Sequence, residues 1–122
     1  MAKGVIRLAR ERWQPYAAAL FSQLQRASLS VPLNIAEGYA AGGRRTFIRH
    51  LRIAYGSAIE SGEILRMLLD LEDFPSSQVR PLLERCRRSQ RLLLGLILKL
   101  SRDASRSPFP VPRSPTTPPR NS

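Results

Sequence analysis

Asn34 and Glu37, and again Ser57 and Glu60, are polar pairs set three residues apart inside largely apolar runs. That spacing puts both members of a pair on one helix face. Polar groups among apolar neighbours must satisfy one another, which makes such a contact specific. The two pairs are therefore expected to meet where two helices touch. Together with Glu63, Glu37 and Glu60 are also the raw material for a metal or general-acid site of the kind built inside helical bundles. Its usual companions are missing. A di-metal bundle site uses Glu-x-x-His pairs, whereas Glu60 has Glu63 three residues on. One histidine, His50, and one cysteine, Cys86, provide neither a His/Cys metal cluster nor a nucleophile with its base. Gly42-Gly43 lacks the Lys-Ser/Thr that follows a phosphate-cradling loop. The expectation is a chain without catalytic residues, metal or cofactor. Asn34, Glu37, Ser57 and Glu60 then lock helix register, with Gly38 and Gly56 as further structural positions. His50, next to Arg49 and close to Arg52, reads as a solvated surface histidine, and Cys86 reads as core.

The elements that position these residues follow from apolar periodicity. Leu20, Leu24, Ala27, Val31, Ile35 and Gly38 recur at helical spacing and predict a helix over about 16–41, interrupted locally by Pro32 and stopped by Gly42-Gly43. Phe47, Leu51, Ala54, Ala58, Leu65 and Leu69 share a face about 80° wide and predict a second helix over about 45–72. Small residues at 54 and 56–58 invite close approach by a neighbour. Asp73 to Ser77 is a turn, with Ser76 or Ser77 as the N-cap of a third helix over about 78–102. Val79, Leu82, Leu83, Cys86, Leu93, Ile97 and Leu100 form its core stripe. Residues 1–14 make a short basic arm, so the bundle domain spans 1–104. Residues 105–122 hold six prolines and few aliphatic residues, the composition of a disordered tail. The fold class is all-α, an up-down antiparallel helical bundle.

With 18 Arg, 2 Lys and 9 acidic residues the chain carries a net charge of +11, which favours a polyanionic partner. Arg45, Arg49 and Arg52 fall within about 60° of each other, opposite the core stripe. Arg80, Arg87 and Arg91 form a second row, with Arg88 further round. Such rows track a phosphate backbone, and guanidinium suits phosphate. Without interleaved aromatics, base readout is not expected. Between Leu92 and Leu98 the third helix is apolar on nearly every side, which argues for an oligomer. That run is far short of the roughly 20 residues a membrane span needs. With no leader pattern and a lone cysteine, a cytoplasmic protein is expected.

The blocks SVPLNIAEGYA, FIRHLRIAYGSAIE and LLLGLILKL resemble the bacterial four-helix bundle proteins encoded in intervening sequences of 23S ribosomal RNA genes. The resemblance spans about residues 20–102 and rests on two spaced blocks agreeing in order and separation. It implies an up-down four-helix bundle assembled as a homopentamer. It also implies kinship with the accessory variability determinant of diversity-generating retroelements, a basic pentamer that binds nucleic acid and a reverse transcriptase. The departure is at the start: the family's full first helix has only a short or truncated counterpart here, with Trp13 as its remnant.

Two functions follow as expectations. The first is a non-enzymatic basic oligomer that binds structured RNA or a ribonucleoprotein through Arg45, Arg49, Arg52, Arg80, Arg87, Arg88 and Arg91. The alternative is a protein–protein adaptor, such as a reverse-transcriptase accessory subunit, docking through its apolar C-terminal helix.

Overall fold

The computed structural model describes residues 3–4, 18–71 and 75–106, with side chains described as far as Asp103. Three helices account for nearly all of it: α1 (Ala18–Ala41), α2 (Arg44–Leu69) and α3 (Ser76–Arg106). No strand occurs among the described residues.

The break between α1 and α2 is made by backbone conformation. Gly42 and Gly43 have φ of 78° and 86°, in the left-handed region that side chains disfavour. The Gly43 carbonyl then accepts the first bond of α2, from Phe47 N–H at 3.1 Å. Tyr39 and Phe47 close the corner as an edge-to-face ring pair with centroids 6.3 Å apart. At its other end α2 stops earlier than the apolar pattern suggests. Asp70 N–H and Leu71 N–H bond three residues back, to Met67 and Leu68, tightening the last turn. Residues 72–74, which hold the rest of the expected turn, lie outside the described residues.

The third helix already begins at the serines expected to cap it. Gln78 N–H and Val79 N–H both bond to the Pro75 carbonyl, at 3.0 and 3.4 Å, so Ser76 and Ser77 are already helical. Proline is well placed there because it needs no donor of its own. The helix also runs to Arg106, beyond the composition change at Ser105. Pro32 and Pro81 sit inside α1 and α3 with exposed rings, and both helices continue through them.

Helix α2 packs against α1 on one side and α3 on the other, and α1 and α3 make no comparable contact among the described residues. One core cluster joins Phe21 and Leu24 of α1 to Ile64, Leu65 and Leu68 of α2 and to Val79, Leu82, Leu83 and Cys86 of α3. A second joins Val31, Leu51, Ala54, Ala58, Leu93 and Ile97. Burying each large aliphatic side chain contributes roughly 1.5–3 kcal/mol. The expected stripe of α3 is buried apart from a half-buried Leu100, whereas in α1 Phe21 and Ser28 are buried and, of the expected stripe, Leu20 is half-buried and Ile35 exposed.

Two glycines exist to let helices approach. A methyl group on Gly38 of α1 would meet His50 Cβ at 2.6 Å, and one on Gly62 of α2 would meet Gln90 Nε2 at 2.8 Å. Gly56, exposed in mid-helix, has nothing within 4 Å of that position. An interior helical glycine costs roughly 1 kcal/mol relative to alanine, and packing inside the chain does not account for it at position 56.

Candidate functional site

Across the α1–α2 contact the expected polar residues meet, but with different members. Asn34 Nδ2 donates to the Ser30 carbonyl at 3.0 Å and to Ser30 Oγ at 3.0 Å. A carbonyl only accepts, so this bond fixes which end of the Asn34 amide is nitrogen. The oxygen, Oδ1, therefore faces His50 Nδ1 at 3.1 Å. That ring nitrogen must therefore carry a proton and donate it to Asn34. Ser57 Oγ donates to Ser30 Oγ at 2.8 Å, and Ser61 Oγ to the Ser57 carbonyl at 2.9 Å. The result is a ladder running Ser57, Ser30, Asn34, His50 between two helices.

Three sequence expectations change here. His50 is not a solvated surface residue: only 20% of its side chain is accessible, and its Cβ lies against Gly38. Glu37 is largely exposed, and its carboxylate reaches only to 4.0 Å from His50 Nδ1. Glu60 is exposed and is not part of the ladder, so it does not lock register in the core. Ser30 and His50 supply what the two glutamates were expected to supply. His50 was recognisable, since Phe47 and Ala54 lie three before it and four after it, on the same helix face.

A second polar contact ties α2 to α3. The Ala58 carbonyl accepts from Cys86 Sγ at 3.1 Å and from Gln90 Nε2 at 3.0 Å. Burial pushes the Cys86 thiol above its ordinary pKa, against smaller opposing effects of the Gln90 hydrogen bond and the Arg87 charge. A protonated, buried thiol is a packing group and a donor, not a nucleophile. Outside it lies a shallow groove of about 160 Å³ between Ile59, Glu63 and Arg66 of α2 and Leu83, Arg87 and Gln90 of α3. Among the described residues no three His, Cys, Asp or Glu side chains gather as a metal centre requires.

The arginines lie outside. Arg45, Arg49 and Arg52 are all exposed on α2, as are Arg80, Arg87, Arg88 and Arg91 on α3. Arg87 has Glu84 at 3.9 Å, one turn before it on the same helix. The other six make no ion pair with any described residue. The polar ladder and the cationic surface are thus separate: one side of α2 holds the bundle together and the opposite side is left charged.

Residues 1–95 match the family model of the 23S rRNA-intervening sequence protein. The chain belongs to that family. No curated protein and no solved structure gives a significant match. As a member of the 23S rRNA-intervening sequence protein family, the chain carries both motif blocks inside the matched region. Residues 1–19, which the motifs alone leave outside the resemblance, are inside it as well. No helix described is long and apolar enough to cross a membrane.

Proposed function

We propose that this chain is a non-enzymatic, cytoplasmic helical-bundle oligomer that binds structured RNA, alone or within an RNA–protein assembly, through the arginines of α2 and α3. One observation carries the reading. Seven arginines are exposed on two adjacent helices of a chain with net charge +11, and six make no ion pair with a described residue. Unpaired guanidinium groups on a rigid helix are preorganised donors for phosphate oxygens. Few aromatic side chains stand among them, so the surface suits backbone and shape recognition better than base stacking.

The bundle itself belongs to this proposal. Lys3 and Gly4 are helical, and Gly4 lies against Leu82 of α3. The four-helix bundle that the family resemblance implies is part of this reading; the rest of its N-terminal arm lies outside the described residues. Association of copies is supported by Leu92, Leu94, Leu96 and Leu98, all exposed on α3 around an open Gly95. The same apolar row favours the second reading, an adaptor docking a protein partner there.

Titration of the nuclease-treated protein with a structured RNA at several salt concentrations tests the proposal. The expected result is an affinity that falls linearly in a log–log plot against salt. Absence of binding at low salt, or binding indifferent to salt, overturns it.

A further inference from the structure

The exposed face of α2 is complementary to itself. Arg52 and Glu60 lie four residues either side of Gly56, Arg49 and Glu63 seven either side, and Ile53 and Ile59 three either side. At 100° per residue these seven positions share an arc of about 120°. All seven are exposed; Ile53 is 47% and Ile59 38% accessible. None of the four charged groups makes an ion pair with a described residue.

The geometry points to a two-fold contact between two copies of this chain, with their α2 helices antiparallel and crossing at Gly56. Turning one copy about an axis through Gly56 carries position 56 + n onto position 56 − n of its partner. Arg52 of each copy then faces Glu60 of the other, about 6 Å along the helix from the axis, and Arg49 faces Glu63 at about 10.5 Å. Ile53 and Ile59 lie at the two edges of the arc, so in each copy they pack against the partner helix on either side of the crossing. An isologous contact of this kind closes on itself, and its two halves are equal by symmetry.

Two independent observations support it. One is the charge pattern, basic before Gly56 and acidic after it, which matches only the antiparallel arrangement. The other is Gly56 itself, an exposed mid-helix glycine with open space where a side chain would stand. Without a partner that space is unexplained. With one, it lets two backbones approach closely. Exposed ion pairs are weak singly, so the isoleucines and the close crossing supply adhesion while the charges set direction and register.

This contact is distinct from the apolar row of α3. It also divides the arginines: Arg49 and Arg52 face carboxylates in the pair, leaving Arg45 and the α3 row open to RNA.

The test is the mass in solution of nuclease-treated full-length protein, with far-UV circular dichroism to confirm folding. The R49E/R52E variant makes the four charged positions of the stripe all acidic, and E60R/E63R makes them all basic. Each is expected to show half the wild-type mass. Mixed one to one, they restore it, because every facing pair is again opposite in sign. The quadruple variant R49E/R52E/E60R/E63R restores it alone. A second measurement is position-specific: G56C forms a disulfide with its own copy under mild oxidation, whereas R45C, eleven residues from the axis, does not. Unchanged mass in both double variants, or folded double variants that fail to recover on mixing, overturns the contact. RNA affinity is read separately with R80A/R87A/R91A, which leaves the stripe intact.

Discussion

Asn34 Oδ1 accepts a hydrogen bond from His50 Nδ1 at 3.1 Å, joining α1 to α2 across sixteen residues of sequence. The bond is directional at both ends, because Asn34 has its nitrogen committed to Ser30 and His50 has its proton committed to Asn34. Only one sliding register of the two helices satisfies it, which is how a polar pair in an apolar contact specifies structure.

Replacing Asn34 by Ala removes an acceptor from His50 and a donor from Ser30 while leaving both in place. The expected cost is about 1–3 kcal/mol of stability, measured by urea unfolding of a form that does not self-associate. His50→Ala costs a similar amount. The double variant is expected to cost less than the sum of the two, since each single change already breaks the shared bond. Strict additivity would show that the two side chains do not act as a unit.

Glycine substitutions separate packing from association. Gly38→Ala drives a methyl into His50 Cβ, an atom that cannot move without the helix, and is expected to destabilise by about 1–3 kcal/mol. Gly56→Ala meets nothing in its own chain. In the R49E/R52E background it is expected to stabilise the fold by up to about 1 kcal/mol, the ordinary gain of alanine over glycine in a helix. Thermal or urea unfolding of the two variants reads the contrast, and a loss in both would contradict it.

Cys86 gives a pH dependence with a definite sign. Its pKa is raised in the folded state by burial, so the unfolded chain loses the thiol proton first as pH rises. The contribution is complete below the ordinary thiol value and is lost as pH climbs through the raised one. Stability is therefore expected to fall more steeply on the alkaline side in the wild type than in Cys86→Ala. Thiol-specific reagents are expected to label Cys86 only at the rate of unfolding. Fast labelling of the native protein would contradict its burial.

How much of this was legible in the sequence depends on what each residue's neighbours reveal. The stripe of α3 from Val79 to Ile97 was readable, because its apolar positions keep one period through a polar surround. Helix α1 was less so: Leu20 and Phe21 are adjacent apolar residues and only packing decides which faces inward, while apolar Ile35 is exposed and its polar neighbour Asn34 turns toward α2. His50 was misjudged from Arg49 beside it, although sequence neighbours on a helix point about 100° apart. Glu37 and Glu60 follow Asn34 and Ser57 by three residues, yet their length and charge carry them out to water, while the short side chains of Ser30, Asn34 and Ser57 stay. The cation rows were visible as spacing. Their separation from the polar ladder, on the other side of α2, required the structure.

The central claim is that the exposed arginines hold RNA by its phosphates. The most direct measurement is the salt dependence of binding to a structured RNA for the wild type and for R80A/R87A/R91A. Each lost phosphate contact lowers the log–log slope by about 0.9 for a duplex, so the variant is expected to bind more weakly and with a slope reduced by up to about 3. An identical slope and affinity in both proteins would contradict the account.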